Sequence, residues 1–509
     1  MKVSKSFVLI LIILLGGLAL RLVAATTLPL TNDEGSYLYD AYLLGQGQLP
    51  FLTSFSRAPA LMVPLAMWLK IFGVSVFTGR LLAILASLGS AILLYFIGKE
   101  LKNKTLGFWA FALYCLVSPV AIHGSYLLTQ QFEIFYALAG SLLLVKATSP
   151  RLAVWSGLFF GLAIATRETA LIYPGFLGVT LLLTGWRDKR AHNFDSKLVV
   201  SETSVLNVAT TLVVAGITTI LTWGLIWGLI SSQVGLPHII KNFEAILNMH
   251  NTGERLTLGF VMRGKLAEFW YLRVDYGILY LLGIVFAVLT IVKRWYKSRD
   301  FWILMAVAAG PLLFYGLYYK RIQPEYFASF MPGLALMGAW VVEQIAKSKK
   351  QITKSAICYL LFVIFLIADL LTFRYQLQNP RGGTFYLKPL DNVVGWIKTN
   401  TDPKDEIFTA AVSIPLLSGR HLALDISRPV LFGYPHIKPD IKYTLFPTPA
   451  EIMEYLTSQQ VKYYVVEKST RDSFYTGHDD LKKYLEDNYG LRERFENPTN
   501  PIELWERKV

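Results

Sequence analysis

Runs of about 18 or more apolar residues recur along residues 1–373, and each is long enough to cross the roughly 30 Å hydrocarbon core of a bilayer. Lipid offers no partner to an exposed backbone N–H or C=O, so these runs must be helices. Eleven spans are read, at approximately 7–28, 80–97, 106–122, 132–147, 152–166, 170–185, 205–230, 277–292, 301–318, 326–345 and 355–373. Residues 1–25 have the outline of a signal peptide, with Lys2 and Lys5 ahead of an apolar run. The run Phe7–Val23 is longer than a usual signal core, however, so it is read as a retained first helix.

The net charge of +14 is placed where topology needs it. With the N-terminus inside, the even-numbered connections hold Lys99, Lys102 and Lys104, then Arg151, then Arg187, Lys189, Arg190 and Lys197. Lys293, Arg294, Lys297 and Arg299 follow, and then Lys347, Lys349, Lys350 and Lys354. All fall on one side, as the positive-inside rule asks, so no nucleic-acid partner is expected. Cys115 and Cys358 lie inside apolar runs with neither redox nor metal spacing.

This arrangement puts the first connection, 29–79, outside. Within it "EGSYLYDAYLL" and "APALMVPLAMWLKIF" read as interfacial helices. After residue 373 the composition turns mixed and charged. Strand-like "EIFTAA" and "KYYVVE" alternate there with helix-like "PLDNVVGWIKTN", "PAEIMEYLTSQQ" and "DLKKYLEDNYG". The expected architecture is therefore an α-helical polytopic membrane domain over 1–373 and a small extracytoplasmic α/β domain over 374–509. A lid or acceptor-docking role is expected for the latter.

The candidate chemistry lies at the outer lip. "TNDE" is a capping box, with Thr31 as N-cap and Glu34 three residues on. Capping accounts for Glu34 and leaves Asp33 without a structural reason. Helical spacing sets Asp33, Tyr37, Asp40 and Leu44 on one face. Arg57, ahead of a stiffening proline in "SFSRAPAL", is a guanidinium suited to phosphate. Arg21 lies one turn inside the outer end of the first span, where it could snorkel or pair with the Asp33 region. Arg167 and Glu168 are expected to pair with each other. Arg321 and Glu325 form another outer charged pair, and His123 and Glu133 flank the second external loop. There is no GxxxxGK[ST] loop, no strand–GxGxxG–helix unit and no HExxH pattern, so an activated substrate would come through the membrane.

The order "LALRL", "TNDEGSYLYDAYLLGQGQLPF", "RAPALMVPLAMWLKIFGVSVFTGRLLAIL", "YFIGKEL", "GLFFGLAIATRETALIYP" and "QPEYFASFMPGLALMGAW" resembles the polytopic GT-C glycosyltransferases. The likeness is to the protein O-mannosyltransferase and lipid A aminoarabinose transferase kind, and it covers about residues 7–345. It implies transfer of a sugar from a polyprenyl-phosphate donor to a protein, lipid or glycan acceptor at the outer face of the cytoplasmic (inner) membrane. It places Asp33, with Glu34 adjacent, at the catalytic centre. It puts Arg57 on the carrier phosphate, although "RAP" here replaces a Lys-Pro-Pro element. Arg21, Arg167 and Arg321 are further cations for that phosphate. Gln130 and Gln131 stand where the second-loop acid is expected, which leaves Glu133 as a displaced candidate for acceptor handling. No cofactor is fixed by these residues, and room is left for a divalent metal. Two rivals have different signatures. An oligosaccharide polymerase or ligase would use the loop 231–276. A lipid-carrier flippase would need ionisable groups at mid-bilayer, and the spans are nearly free of them.

Overall fold

The computed structural model describes residues 5–48, 58–147, 149–192, 203–237, 240, 273–313, 328–347, 367–380, 385–409, 411–425, 449–468, 479–498 and 500–508. The chain divides into two compact units. One comprises 1–25, 83–226 and 256–381, and the other 26–82, 227–255 and 382–509.

The first unit is helical. The described helices that lie wholly or mainly in it are Lys5–Thr27, Val76–Leu101, Lys104–Leu116, Ser118–His123, Thr129–Val145, Pro150–Thr166, Ile172–His192, Thr203–Val234, Arg273–Lys293, Arg299–Leu313, Met331–Lys347 and residues 367–378. Ile84, Leu88 and Leu94 pack with Leu106, Ala110, Phe111, Ala335 and Ala339 in its core. Leu11, Ile12, Leu15, Ile217, Ile220 and Leu221 are exposed instead. That is the pattern of helices whose outer faces are solvated by lipid. Among the described residues three helices are long and apolar enough to cross a membrane, Phe7–Thr27, Val76–Leu101 and Val208–Gln233. Shorter apolar helices accompany them.

Polar contacts in this unit join loops that charge placement assigns to the same side. Glu343 is buried under Lys102 Nζ at 2.6 Å and accepts from Asn103 Nδ2 at 2.7 Å. Lys146 lies 3.2 Å from Glu100. These residues all belong to the side read as cytoplasmic.

The expected span 106–122 is broken. Pro119 has no N–H to give to Cys115 O, and in a continuous helix its ring would clash with that carbonyl. The helix therefore stops at Leu116, Val117 is extended (φ −67°, ψ 128°), and a short helix restarts at Ser118. Buried Asp369 caps the restart, accepting from Ser118 N at 2.8 Å and Ser118 Oγ at 3.0 Å.

The second unit combines the first loop with the C-terminal segment. Both loop segments expected as helices are helical, Asn32–Gly45 and Pro59–Phe72, and the two pack together. The latter buries Leu61, Leu65 and Leu69 and exposes Val63, Met67 and Ile71 on its other side. Two apolar stripes at four-residue spacing suit a helix with protein beneath it and lipid beside it.

The C-terminal segment forms a five-stranded sheet. Its strands are β1 Glu406–Thr409, β2 His421–Leu422, β3 Tyr463–Glu467, β4 Tyr489–Phe495 and β5 Ile502–Arg507, in the order β2-β1-β3-β5-β4. β1 is parallel to both β2 and β3, whereas β5 is antiparallel to β3 and β4. Helices Pro449–Ser458 and Asp479–Asn488 cover it through Ile452, Leu456, Leu481 and Leu485. β1, β3 and the helices Leu387–Asn400, Pro449–Ser458 and Asp479–Asn488 fall where the sequence pattern puts them. The β4–β5 pair does not, because "YGLRERFENPTNPIELWER" alternates charged with apolar residues too irregularly to read as a hairpin.

Candidate functional site

The helix Asn32–Gly45 begins as its sequence dictates. Thr31 is the N-cap, its Oγ1 accepting from Glu34 N at 3.1 Å, and Glu34 Oε2 accepts from Thr31 N at 3.0 Å. This is the expected capping box.

Glu34 does more than cap. Its carboxylate is completely buried and takes two guanidinium bonds, Arg80 Nε to Oε1 and Arg80 Nη2 to Oε2, both 2.9 Å. Arg80, equally buried, also donates to Leu28 O at 2.9 Å and Pro29 O at 2.8 Å. A bidentate pair with its remaining valences satisfied is the arrangement that can survive loss of hydration. Arg80 thus fixes both the extended strap that leaves the first span and the acid that starts the next helix.

Sequence reasoning passes over Arg80. Its one signal is an arginine at the mouth of an apolar run, where an ionisable group needs a partner. That partner is 46 residues away.

Asp33 lies on the same first turn and is half-buried, as is Tyr37, whereas Asp40 is buried. Two neighbouring carboxylates are therefore divided. Glu34 is locked by Arg80, and Asp33 is carried on the helix that this lock orients.

Arg21 differs from expectation. It is completely buried rather than snorkelling, and its donors go to protein acceptors. Nη1 reaches Gly17 O (3.0 Å) and Cys115 O (2.8 Å), Nη2 reaches Tyr114 O (3.1 Å), and Nε reaches Ser87 Oγ (3.0 Å). The break at Val117 leaves the carbonyls at the end of Lys104–Leu116 without helical partners, and a cation there satisfies them. Gly124 closes the nest, since a Cβ there would stand 3.0 Å from Arg21 Nε and closer still to Ser87 Oγ. The carrier-phosphate role expected of Arg21 gives way to that of a helix cap.

Arg167 lies 3.6 Å from Glu133, which also accepts from Thr169 Oγ1 at 3.2 Å. The expected partner was Glu168, next in the chain. The ion pair with Glu133 bridges the start of Thr129–Val145 and the end of Pro150–Thr166. Gln131 Nε2 donates to His123 O at 3.0 Å, tying the second loop to the same helix start. Burial pushes the His123 imidazole pKa down to about 4. Arg57, Arg321, Glu325 and most of the loop 231–276 lie outside the described residues. Among the described residues no three His, Cys, Asp or Glu side chains converge as a metal site would require.

Residues 56–223 match the family model described as dolichyl-phosphate-mannose-protein mannosyltransferase. The whole chain superposes on ArnT from Cupriavidus metallidurans bound to undecaprenyl phosphate, with a TM-score of 0.63. Identity is 12%, and the match covers 99% of this chain and 98% of that one. The chain has the GT-C glycosyltransferase fold. Archaeal oligosaccharyltransferase AglB from Archaeoglobus fulgidus, in complex with an inhibitory peptide and a dolichol-phosphate, superposes with a TM-score of 0.55. Identity is again 12%, over 97% of this chain and 74% of that one. Arabinofuranosyltransferase AftD from Mycobacteria gives 0.53 at 12% identity, over 100% of this chain and 40% of AftD. No curated protein matches the chain in sequence.

Proposed function

We propose that the protein is a membrane glycosyltransferase. It moves a sugar from a polyprenyl-phosphate donor to a protein, lipid or glycan acceptor at the outer face of the cytoplasmic membrane. The observation that carries this is the start of Asn32–Gly45, where Arg80 holds the fully buried Glu34 and thereby orients the first turn, on which Asp33 is half-buried and within reach of solvent. The GT-C relatives support the donor class, because ArnT is described with undecaprenyl phosphate and AglB with a dolichol-phosphate.

In this reading Asp33 takes the proton of the acceptor hydroxyl as its oxygen attacks the anomeric carbon. The bond from that carbon to phosphate oxygen breaks, polyprenyl phosphate leaves, and the anomeric centre inverts. Positive charge stabilises the phosphate as it departs. Arg57 has that role, with Arg167 and Arg321 as further outer-side cations and Glu133 as the acid on the acceptor side. Glu34 acts through the helix, not on substrate.

The test is an assay in membranes with a panel of polyprenyl-phosphate sugars and nucleotide sugars. Transfer from one polyprenyl-phosphate sugar, abolished in Arg57→Ala, is the expected result. Transfer directly from a nucleotide sugar would contradict the reading.

A further inference from the structure

The residue after the two carboxylates is Gly35, and it is where the C-terminal segment touches this helix. A Cβ on Gly35 would stand 3.3 Å from Ser413 Cβ and 3.5 Å from Ser413 Oγ. Ser413 is buried and opens the short helix Ser413–Ser418, which follows β1 and packs on Asn32–Gly45.

A second attachment lies five residues earlier in the chain. Leu30 N donates to Phe385 O at 2.7 Å, and Phe385 N donates to Leu30 O at 3.1 Å. Both side chains are buried. Tyr386 N in turn donates to Oδ1 of Asn497, in the β4–β5 connection, at 3.3 Å. The strap into the helix is therefore paired with the C-terminal segment, and the first turn is backed by it.

Successive helical residues are rotated by about 100°, so Asp33 and Gly35 point to nearly opposite sides. Ser413 thus lies behind Asp33. A side chain of any size at position 35 would push the Asp33 carboxylate forward, and slack at 413 would let it fall back. A shift of about 1 Å in a reacting group is enough to cost on the order of 100-fold in rate.

We infer that the C-terminal segment, through Ser413 and Phe385, is a positioning element for the transfer reaction rather than a detachable docking platform. This rests on Asp33 acting as the base. Ser413 is a positioning residue and touches no reacting atom.

A methyl-sized swap across the contact tests it in the full chain. Alanine is a better helix former than glycine, so Gly35→Ala introduces crowding without a helix penalty. Gly35→Ala is expected to lower kcat at least about fivefold and Ser413→Gly about threefold, each leaving the KM values for donor and acceptor within about twofold. The double variant Gly35→Ala/Ser413→Gly restores the volume at the contact and returns kcat to within about twofold of wild type. Losses that multiply in the double variant, single variants that act on KM alone, or silent single variants would overturn the inference. An active Asp33→Asn would instead remove the reaction on which it rests, while an inactive Asp33→Asn beside a silent Gly35→Ala removes the positioning role alone.

Discussion

Of the acid–arginine pairs among the described residues, two with a fully or almost fully buried carboxylate, Glu34–Arg80 and Glu133–Arg167, are built differently. In Glu34–Arg80 both side chains are at 0% exposure, two guanidinium bonds of 2.9 Å join them, and the other donors reach backbone carbonyls. In Glu133–Arg167 the approach is a single 3.6 Å contact, with the arginine 14% exposed. Glu133 Oε2 has no hydrogen bond among the described residues. A buried charge pair repays its desolvation only when geometry is good and every lone pair is used. The first pair meets that condition and is architecture. The second has capacity left over, and capacity at a buried carboxylate is what a substrate group can use.

The contrast can be broken by mutation. Arg80→Ala strands a buried carboxylate and releases the 28–30 strap, so it should cost about 3–5 kcal/mol and most of the folded protein. Thermal unfolding in detergent would show it, and a stable Arg80→Ala would end the distinction. Glu133→Gln keeps the shape at the looser pair. It should change stability by less than about 1 kcal/mol yet lower transfer about tenfold, read as melting temperature against initial rate in the same membranes. Thr31→Ala removes the cap but leaves the Arg80 pair, and about 1 kcal/mol of lost stability is expected with the helix Asn32–Gly45 still in place.

The smallest effect comes from pH. With its folded pKa pushed down to about 4, His123 is neutral in the fold. Its contribution is present above the ordinary histidine value of about 6.5 and is lost as pH falls from there toward 4. His123→Gln should flatten that part of the melting temperature–pH curve.

The sequence showed some of this plainly and concealed the rest for physical reasons. Local signals were legible. The capping box at Thr31–Glu34, the loop helices and the apolar spans each depend on residues a few positions apart. Partnerships at long range were not. Arg80 finds Glu34 across 46 residues, and Asp369 caps Ser118 across 251. Arg21 shows why an isolated arginine at a membrane lip is ambiguous. Its place follows from a helix break at Pro119, and nothing near residue 21 announces that the carbonyls of Tyr114 and Cys115 need donors. The α/β character of the C-terminal segment was readable from its alternating runs. Its contact with Gly35 was not, because a glycine beside two acids looks like part of a helix start and no more.

The central claim is that two adjacent carboxylates divide structure from chemistry. It is tested most directly by comparing Asp33→Asn with Glu34→Gln in one membrane preparation, measuring folded yield and sugar transfer together. Asp33→Asn should accumulate and melt as wild type while transfer falls at least about 100-fold, whereas Glu34→Gln should lose folded protein in step with activity. Transfer by Asp33→Asn at the wild-type rate would contradict the account.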